Sequence, residues 1–194
     1  MLSHLKNYHI ILASQSPRRL ELFSGLNIPF EVLNIEVDEN YPKELVGVDI
    51  PMYLAEKKAN AYEKIMKDDT LLITADTIVW HEGRVFNKPK DKAEATAMLK
   101  SLSGKTHQVI TGVCISTLKK RKTFHVISEV RFASLNPVEI EYYLHNFEPY
   151  DKAGAYGVQE WIGYIGVEHI VGSYFNVMGL PIQRLYNELK RWKA

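Results

Sequence analysis

Apolar runs of strand length alternate with capped helical segments along most of this chain, and that alternation restricts it to a mixed α/β sheet. Residues 8–13 (YHIILA) read as a short strand. Ser16-Pro17 then opens a helix, with Ser16 at the N-cap, Pro17 at the first helical position and Gly25 near the end. Residues 29–35 read as a second strand, 36–49 as an acidic loop and 51–66 as a helix. Residues 71–80 (LLITADTIVW) are a third strand. Asp91 with Glu94 three residues later is a capping-box-like start for a helix that runs to Ser101, before Gly104 stops it. Two long strands, 109–118 and 123–132, follow, and Asn136-Pro137 with Glu139 begins a helix that runs to Phe147. The glycine-rich stretch 154–172 reads as short strands and turns, and 181–192 as a closing helix.

With 194 residues the chain is long enough to build its own core, so a single domain over 1–194 is expected. Its one cysteine, Cys114, excludes an intramolecular disulfide framework and a thiolate-rich zinc site, and its place in the apolar run 109–115 reads as core. Its seven histidines spell no metal motif. A net charge of +1 denies it the chain-wide basic footprint of a nucleic-acid binder, so an RNA-binding module is set aside. No apolar run approaches the roughly 20 residues a bilayer span needs. Residues 1–7 lack the apolar core of a signal peptide, so the expected address is the cytosol, with no membrane partner. The only charge run, Lys119-Lys120-Arg121-Lys122, reads as a solvated hairpin tip.

Four constellations carry chemistry. At the first strand-to-helix junction, Ser14, Ser16, Arg18 and Arg19 gather hydroxyls, guanidiniums and helix N-terminal amides, the components of an anion cradle. An ordinary capped helix with solvated arginines would look the same. Asp76 lies in the middle of an apolar strand and needs a partner, since burying an unpaired charge is costly. A divalent cation and a basic side chain both satisfy that need. Glu36, Asp38 and Glu39 in the acidic loop offer further oxygen ligands, and Mg²⁺ typically takes one or two carboxylates while substrate phosphates complete its shell. Lys57, Lys58 and Lys88 stand beside helix boundaries. In 151–159 (DKAGAYGVQ), small residues let the backbone approach something closely, and Gln159 offers both a donor and an acceptor to the edge of a pyrimidine base. Phosphate donors, acids for a metal and a base-reading amide together imply a nucleotide.

These segments also carry a family resemblance. LASQSPRR (12–19), ADTIV (75–79), NKPKD (87–91), SGKTHQV (103–109), DKAGAYG (151–157) and MGLP (178–181), in this order, resemble the Maf family of nucleoside triphosphate pyrophosphatases from end to end. The resemblance implies a mixed twisted sheet in two lobes around a central cleft, similar to the inosine triphosphatase fold, usually in a homodimer. It implies hydrolysis of a nucleoside triphosphate to the monophosphate and diphosphate with Mg²⁺ or Mn²⁺. Arg18, Thr77 and Gln159 match the specificity positions of the branch acting on dTTP and UTP, and modified pyrimidine triphosphates are a further candidate substrate for this chain. The family's catalytic aspartate, assigned as proton acceptor, falls on Asp76. On this pattern Ser14, Arg19, Lys58 and Lys88 hold the phosphates, and Asp76 and Glu39 ligate the metal. A rival expectation is a nucleotide-binding regulator of cell division that does not turn its ligand over. The chain departs from the pattern twice: Lys57 replaces an acid in the second helix, and Glu160 replaces a glycine after Gln159.

Overall fold

A computed structural model describes residues 2–193. The strands are β1 (His9–Ala13), β2 (Glu31–Val32), β3 (Thr70–His81), β4 (Arg84–Phe86), β5 (Thr106–Ser116), β6 (Arg121–Phe132) and β7 (Val167–Val171). The helices are α1 (Pro17–Ser24), α2 (Asp49–Asn60), α3 (Lys92–Leu102), α4 (Pro137–Phe147), α5 (Trp161–Gly166), α6 (Tyr174–Met178) and α7 (Ile182–Arg191). The strands form one mixed sheet in the order β2-β1-β3-β5-β6-β7, with β4 paired to β3. β1 runs parallel to β2 and β3, whereas β4 and β7 run antiparallel to β3 and β6. The mixed α/β expectation therefore holds. No helix among the described residues is long and apolar enough to cross a membrane.

The chain divides into two compact units. The first comprises Met1–Asp76, Thr111–Val126 and Gly179–Ala194, the second Thr77–Ile110 and Ile127–Met178. In the first unit, strand alternation sorts the core into two faces. Ile10 and Leu12 of β1, Leu71, Ile73 and Ala75 of β3, and Val113 and Ile115 of β5 pack with Phe23 of α1 and Leu185 and Leu189 of α7. Their neighbours Ile11, Ala13, Leu72 and Cys114 pack with Ala55 and Ala59 of α2 and with Tyr62. Cys114 is thus a core residue, and burial raises its thiol pKa. The charge run differs from a purely solvated tip. Lys120 lies 4.7 Å from the Trp192 ring, Arg121 meets Glu63 at 3.0 Å and Lys122 meets the buried Glu188 at 2.5 Å.

In the second unit, Asp91 caps α3 by accepting from the Glu94 amide at 2.8 Å, and Asn136 with Glu139 forms a complete capping box on α4. Three elements escaped the sequence analysis. β4 forms a hairpin with β3 across Glu82-Gly83, both at positive φ (48° and 75°), because the twist of paired strands favours such turns. α5 replaces part of the strands and turns expected over 154–172; its glycines at 163 and 166 lower the intrinsic helix preference, and tertiary packing overrides it. α6 lies beyond that stretch, in a segment to which the sequence assigned no element. The expected strand 29–35 is ordered as strand only at Glu31–Val32, where β2 lies at the end of the sheet order.

A buried aromatic cluster anchors this unit. His107 Nε2 lies 2.7 Å from the Tyr156 hydroxyl, and both rings meet Phe132 edge-on. Burial lowers the His107 pKa to about 3 and raises that of Tyr156, so a neutral imidazole and a protonated phenol share this hydrogen bond. The unfolded chain takes up a proton at this histidine below about pH 6.5, while the folded chain does not until about pH 3. Its stability contribution is therefore full above pH 6.5 and declines as pH falls toward 3. His107→Gln, whose amide can still hydrogen-bond Tyr156, is expected to flatten the fall in melting temperature between about pH 6.5 and 4. An unchanged slope in calorimetry rejects this assignment.

Candidate active site

The site in the first unit begins with strand periodicity. Thr74 and Asp76 are two apart on β3, so their side chains share a face. The Thr74 hydroxyl donates to the Ala55 carbonyl of α2 at 2.6 Å, which fixes that face against the helix. Lys58 lies one turn beyond Ala55 on the same helical side. Its ammonium consequently meets Asp76 Oδ1 at 2.5 Å. Asp76 is 7% exposed, a burial that would cost several kcal/mol for an unpaired carboxylate. Of the two partners left open by the sequence, a basic side chain is one that the carboxylate has.

The same ammonium reaches Glu39 Oε1 at 2.9 Å. Lys57, the departure from the family pattern, explains how Glu39 arrives there. It donates to Asp38 Oδ2 at 3.1 Å and to the Asn40 carbonyl at 2.7 Å, clipping the acidic loop to α2 on either side of Glu39. The Asn40 amide, and then Lys57, hold the Asp38 pKa below its ordinary value. Glu36 stays exposed on the loop.

Ser14 follows β1 and is buried; its hydroxyl accepts the Ser16 amide at 3.2 Å. Ser16 occupies the N-cap position of α1 as expected, but its side chain makes no capping bond. Arg19 on the first turn donates from Nε to the Gly179 carbonyl at 2.8 Å and from Nη1 to the Ala75 carbonyl at 2.9 Å. It is thus braced on the residue preceding Asp76. Burial lowers the Arg19 pKa, the Asp76 carboxylate opposes that, neighbouring Arg18 adds to it and Glu39 opposes it. The first unit therefore gathers Asp76, Lys58, Glu39 and Arg19 into one charge cluster, with Arg18 beside Arg19.

Thr77, Lys88 and Gln159 belong to the second unit. Thr77 follows Asp76 directly on β3, Lys88 is exposed between β4 and α3, and Gln159 ends a compact turn. The close approach expected of the small residues is made to protein. Gly154, at φ 70°, sits where a Cβ would fall 2.9 Å from a Val79 methyl. Two further residues complete the turn, Lys152, which the 151–157 motif contains without a stated role, and Tyr143. Lys152, 8% exposed, meets Asp151 at 2.6 Å and Glu160 at 3.0 Å, and Tyr143 of α4 donates to Glu160. Tyr143 reads from sequence as one more apolar position of α4, so nothing marked its hydroxyl.

Among the described residues, no group of three or more His, Cys, Asp or Glu side chains is arranged to hold a metal by itself. Asp76 and Glu39 converging on one ammonium nevertheless form a two-carboxylate donor set whose charge suits a hard divalent ion. Such a set fits Mg²⁺ or Mn²⁺ that draws its remaining ligands from water and substrate phosphates.

The family model described as Maf-like protein matches residues 9–192. The dTTP/UTP pyrophosphatase of Bacteroides fragilis (strain YCH46) is 56% identical over 192 residues, covering 98% of this chain and all of that protein. The dTTP/UTP pyrophosphatase of Parabacteroides distasonis is 58% identical over 193 residues, covering 99% of this chain and all of that protein. In fold, the chain is similar to the Staphylococcus aureus Ham1 protein, with a TM-score of 0.54 at 16% identity over 93% of this chain and 99% of that one. The expected likeness to the inosine triphosphatase-like fold is therefore observed.

The charge cluster predicts a contrast in stability. Lys58→Ala strands a largely buried carboxylate and is expected to cost about 1–3 kcal/mol in urea unfolding. Lys57→Ala, whose partner Asp38 is solvated, is expected to leave the midpoint close to the parent's. Equal effects of the two substitutions contradict the assignment.

Proposed function

The chain belongs to the Maf family, and from that premise we propose that it hydrolyses dTTP and UTP to the monophosphate and diphosphate. The reading extends to modified pyrimidine triphosphates. The observation that carries it is the Asp76 carboxylate held at 2.5 Å by Lys58, with Glu39 on the same ammonium and Arg19 braced behind. Curated relatives that share more than half of their residues with this chain over nearly full length bear the name of that activity.

Phosphoryl chemistry depends mainly on placement and charge neutralisation. Asp76 accepts the proton of the water that attacks the α-phosphorus. Lys58 orients that carboxylate through Oδ1 and, with Ser14, Arg19 and Lys88, binds phosphate oxygens. Asp76 and Glu39 would hold Mg²⁺ or Mn²⁺, which, when bound, supplies charge neutralisation and makes water more acidic. Arg18, Thr77 and Gln159 select the pyrimidine nucleotide, with Gln159 pairing to the base edge. A site that hydrogen-bonds a base discriminates because the wrong base leaves its polar groups unpaired. The reading takes the protein to be a cytoplasmic homodimer, its whole length one catalytic domain, acting on free nucleotides rather than nucleic acid.

Two substitutions test it. Asp76→Asn is expected to lower diphosphate release from UTP and Mg²⁺ by at least about a hundredfold without loss of fold. Near-parental turnover removes Asp76 from the chemistry, and an inactive parent protein leaves only nucleotide binding. Gln159→Ala is expected to lower kcat/KM for UTP relative to GTP by about tenfold or more. An unchanged ratio removes Gln159 from base recognition.

A further inference from the structure

We propose that Glu160 is a positioning residue for base selectivity: bound between Lys152 and Tyr143, it holds the turn that carries Gln159. The proposal rests on the reading of Gln159 as the base-selecting amide.

Glu160 directly precedes α5, where the ordinary local role for its side chain is to cap the helix. It makes no capping bond there. Both carboxylate oxygens are directed into the turn instead. Oε1 lies 3.0 Å from Lys152 Nζ, and Oε2 accepts the Tyr143 hydroxyl hydrogen. The Tyr143 oxygen in turn accepts the Gly157 amide at 3.0 Å. Helix α4, the Gly157 backbone and Glu160 are thereby joined through one phenol, which is completely buried. Burial and the adjacent Glu160 raise the Tyr143 pKa, so the phenol remains a donor.

Gly157 explains how the clasp reaches Gln159. A Cβ at this glycine would lie 3.0 Å from Gln159 Nε2 and 2.9 Å from Glu160 Oε2. The Gln159 amide and the Glu160 carboxylate therefore fold back over the same α-carbon, and only the missing side chain makes room for both. The chain enters the turn through Ala155 at φ 60°, a left-handed conformation disfavoured for a residue with a Cβ. Each oxygen of this carboxylate has its own fixed partner, Lys152 on one side and Tyr143 on the other, so the segment from Gly157 to Glu160 has one favoured arrangement. An amide fixed in advance discriminates between base edges better than one that can rotate to suit each.

The test compares the full-length parent with Glu160→Gln, Tyr143→Phe, Gln159→Ala and the Glu160→Gln/Gln159→Ala double variant. For each, kcat and KM are measured with UTP and with GTP, alongside the melting temperature. Glu160→Gln and Tyr143→Phe are expected to lower the UTP-to-GTP ratio of kcat/KM about tenfold, chiefly by raising KM for UTP more than they lower kcat. The double variant is expected to lose no more selectivity than Gln159→Ala alone, because the two residues act through one amide. A parental ratio in both single variants, even with lowered melting temperatures, overturns the proposal and marks the clasp as purely structural. Losses that multiply in the double variant overturn it as well. If Gln159→Ala itself leaves the ratio unchanged, the base-selecting role of Gln159 fails and the proposal falls with it. Tyr143→Phe keeps the ring that stacks on Phe147, so the question remains open to measurement should Glu160→Gln fold poorly.

Discussion

The first unit is organised around one electrostatic requirement: a carboxylate has been placed inside a sheet strand and must be compensated there. Asp76 is a buried position of β3, and Lys58 meets it at 2.5 Å. That contact fixes more than a salt bridge. It sets the rotation of α2, through Thr74 bonding Ala55 one turn earlier, and it draws the acidic loop inward, since the same ammonium binds Glu39. Arg19 adds a second cation braced on the carbonyl before Asp76. The cluster is balanced between acids and bases, which is the condition under which a polyanionic substrate and a divalent ion can enter together without leaving stranded charge.

The second unit solves a different problem, that of holding an irregular turn still. A loop has little regular hydrogen bonding of its own, so residues 151–160 borrow it from neighbours. Gly154 seats against Val79. Tyr156 bonds a histidine that burial keeps neutral, and Lys152, Glu160 and Tyr143 tie the Gly157 amide to α4. Polar groups buried in this way are stabilising only as a complete set, since losing one member strands the others.

Much of this was legible in the residues. The capped starts at Asp91 and Asn136 were readable because capping is local, involving a side chain and an amide three residues away. Asp76 stood out because a charge in an apolar strand breaks the pattern around it. The Glu82-Gly83 hairpin was missed although a two-residue turn ending in glycine is itself a local signal. α5 escaped for a different reason, because its glycines argue against a helix and only the packing of the second unit outweighs them.

The sequence by itself determined the mixed sheet, the position of the unusual carboxylate, the supply of cations and acids, and the family these belong to. All are recorded in periodicity, local chemistry or motif. The tertiary structure decided that Lys58 is the side chain that meets Asp76, that Lys57 clips the acidic loop to α2, and that Glu160 turns inward to Tyr143 and Lys152 instead of to solvent. Those outcomes depend on pairs 8 to 19 residues apart in the chain, Lys152 with Glu160, Tyr143 with Glu160, and Lys58 with Asp76 and Glu39. Partners so separated meet only after backbone packing brings them together, and no spacing rule encodes a contact of that kind.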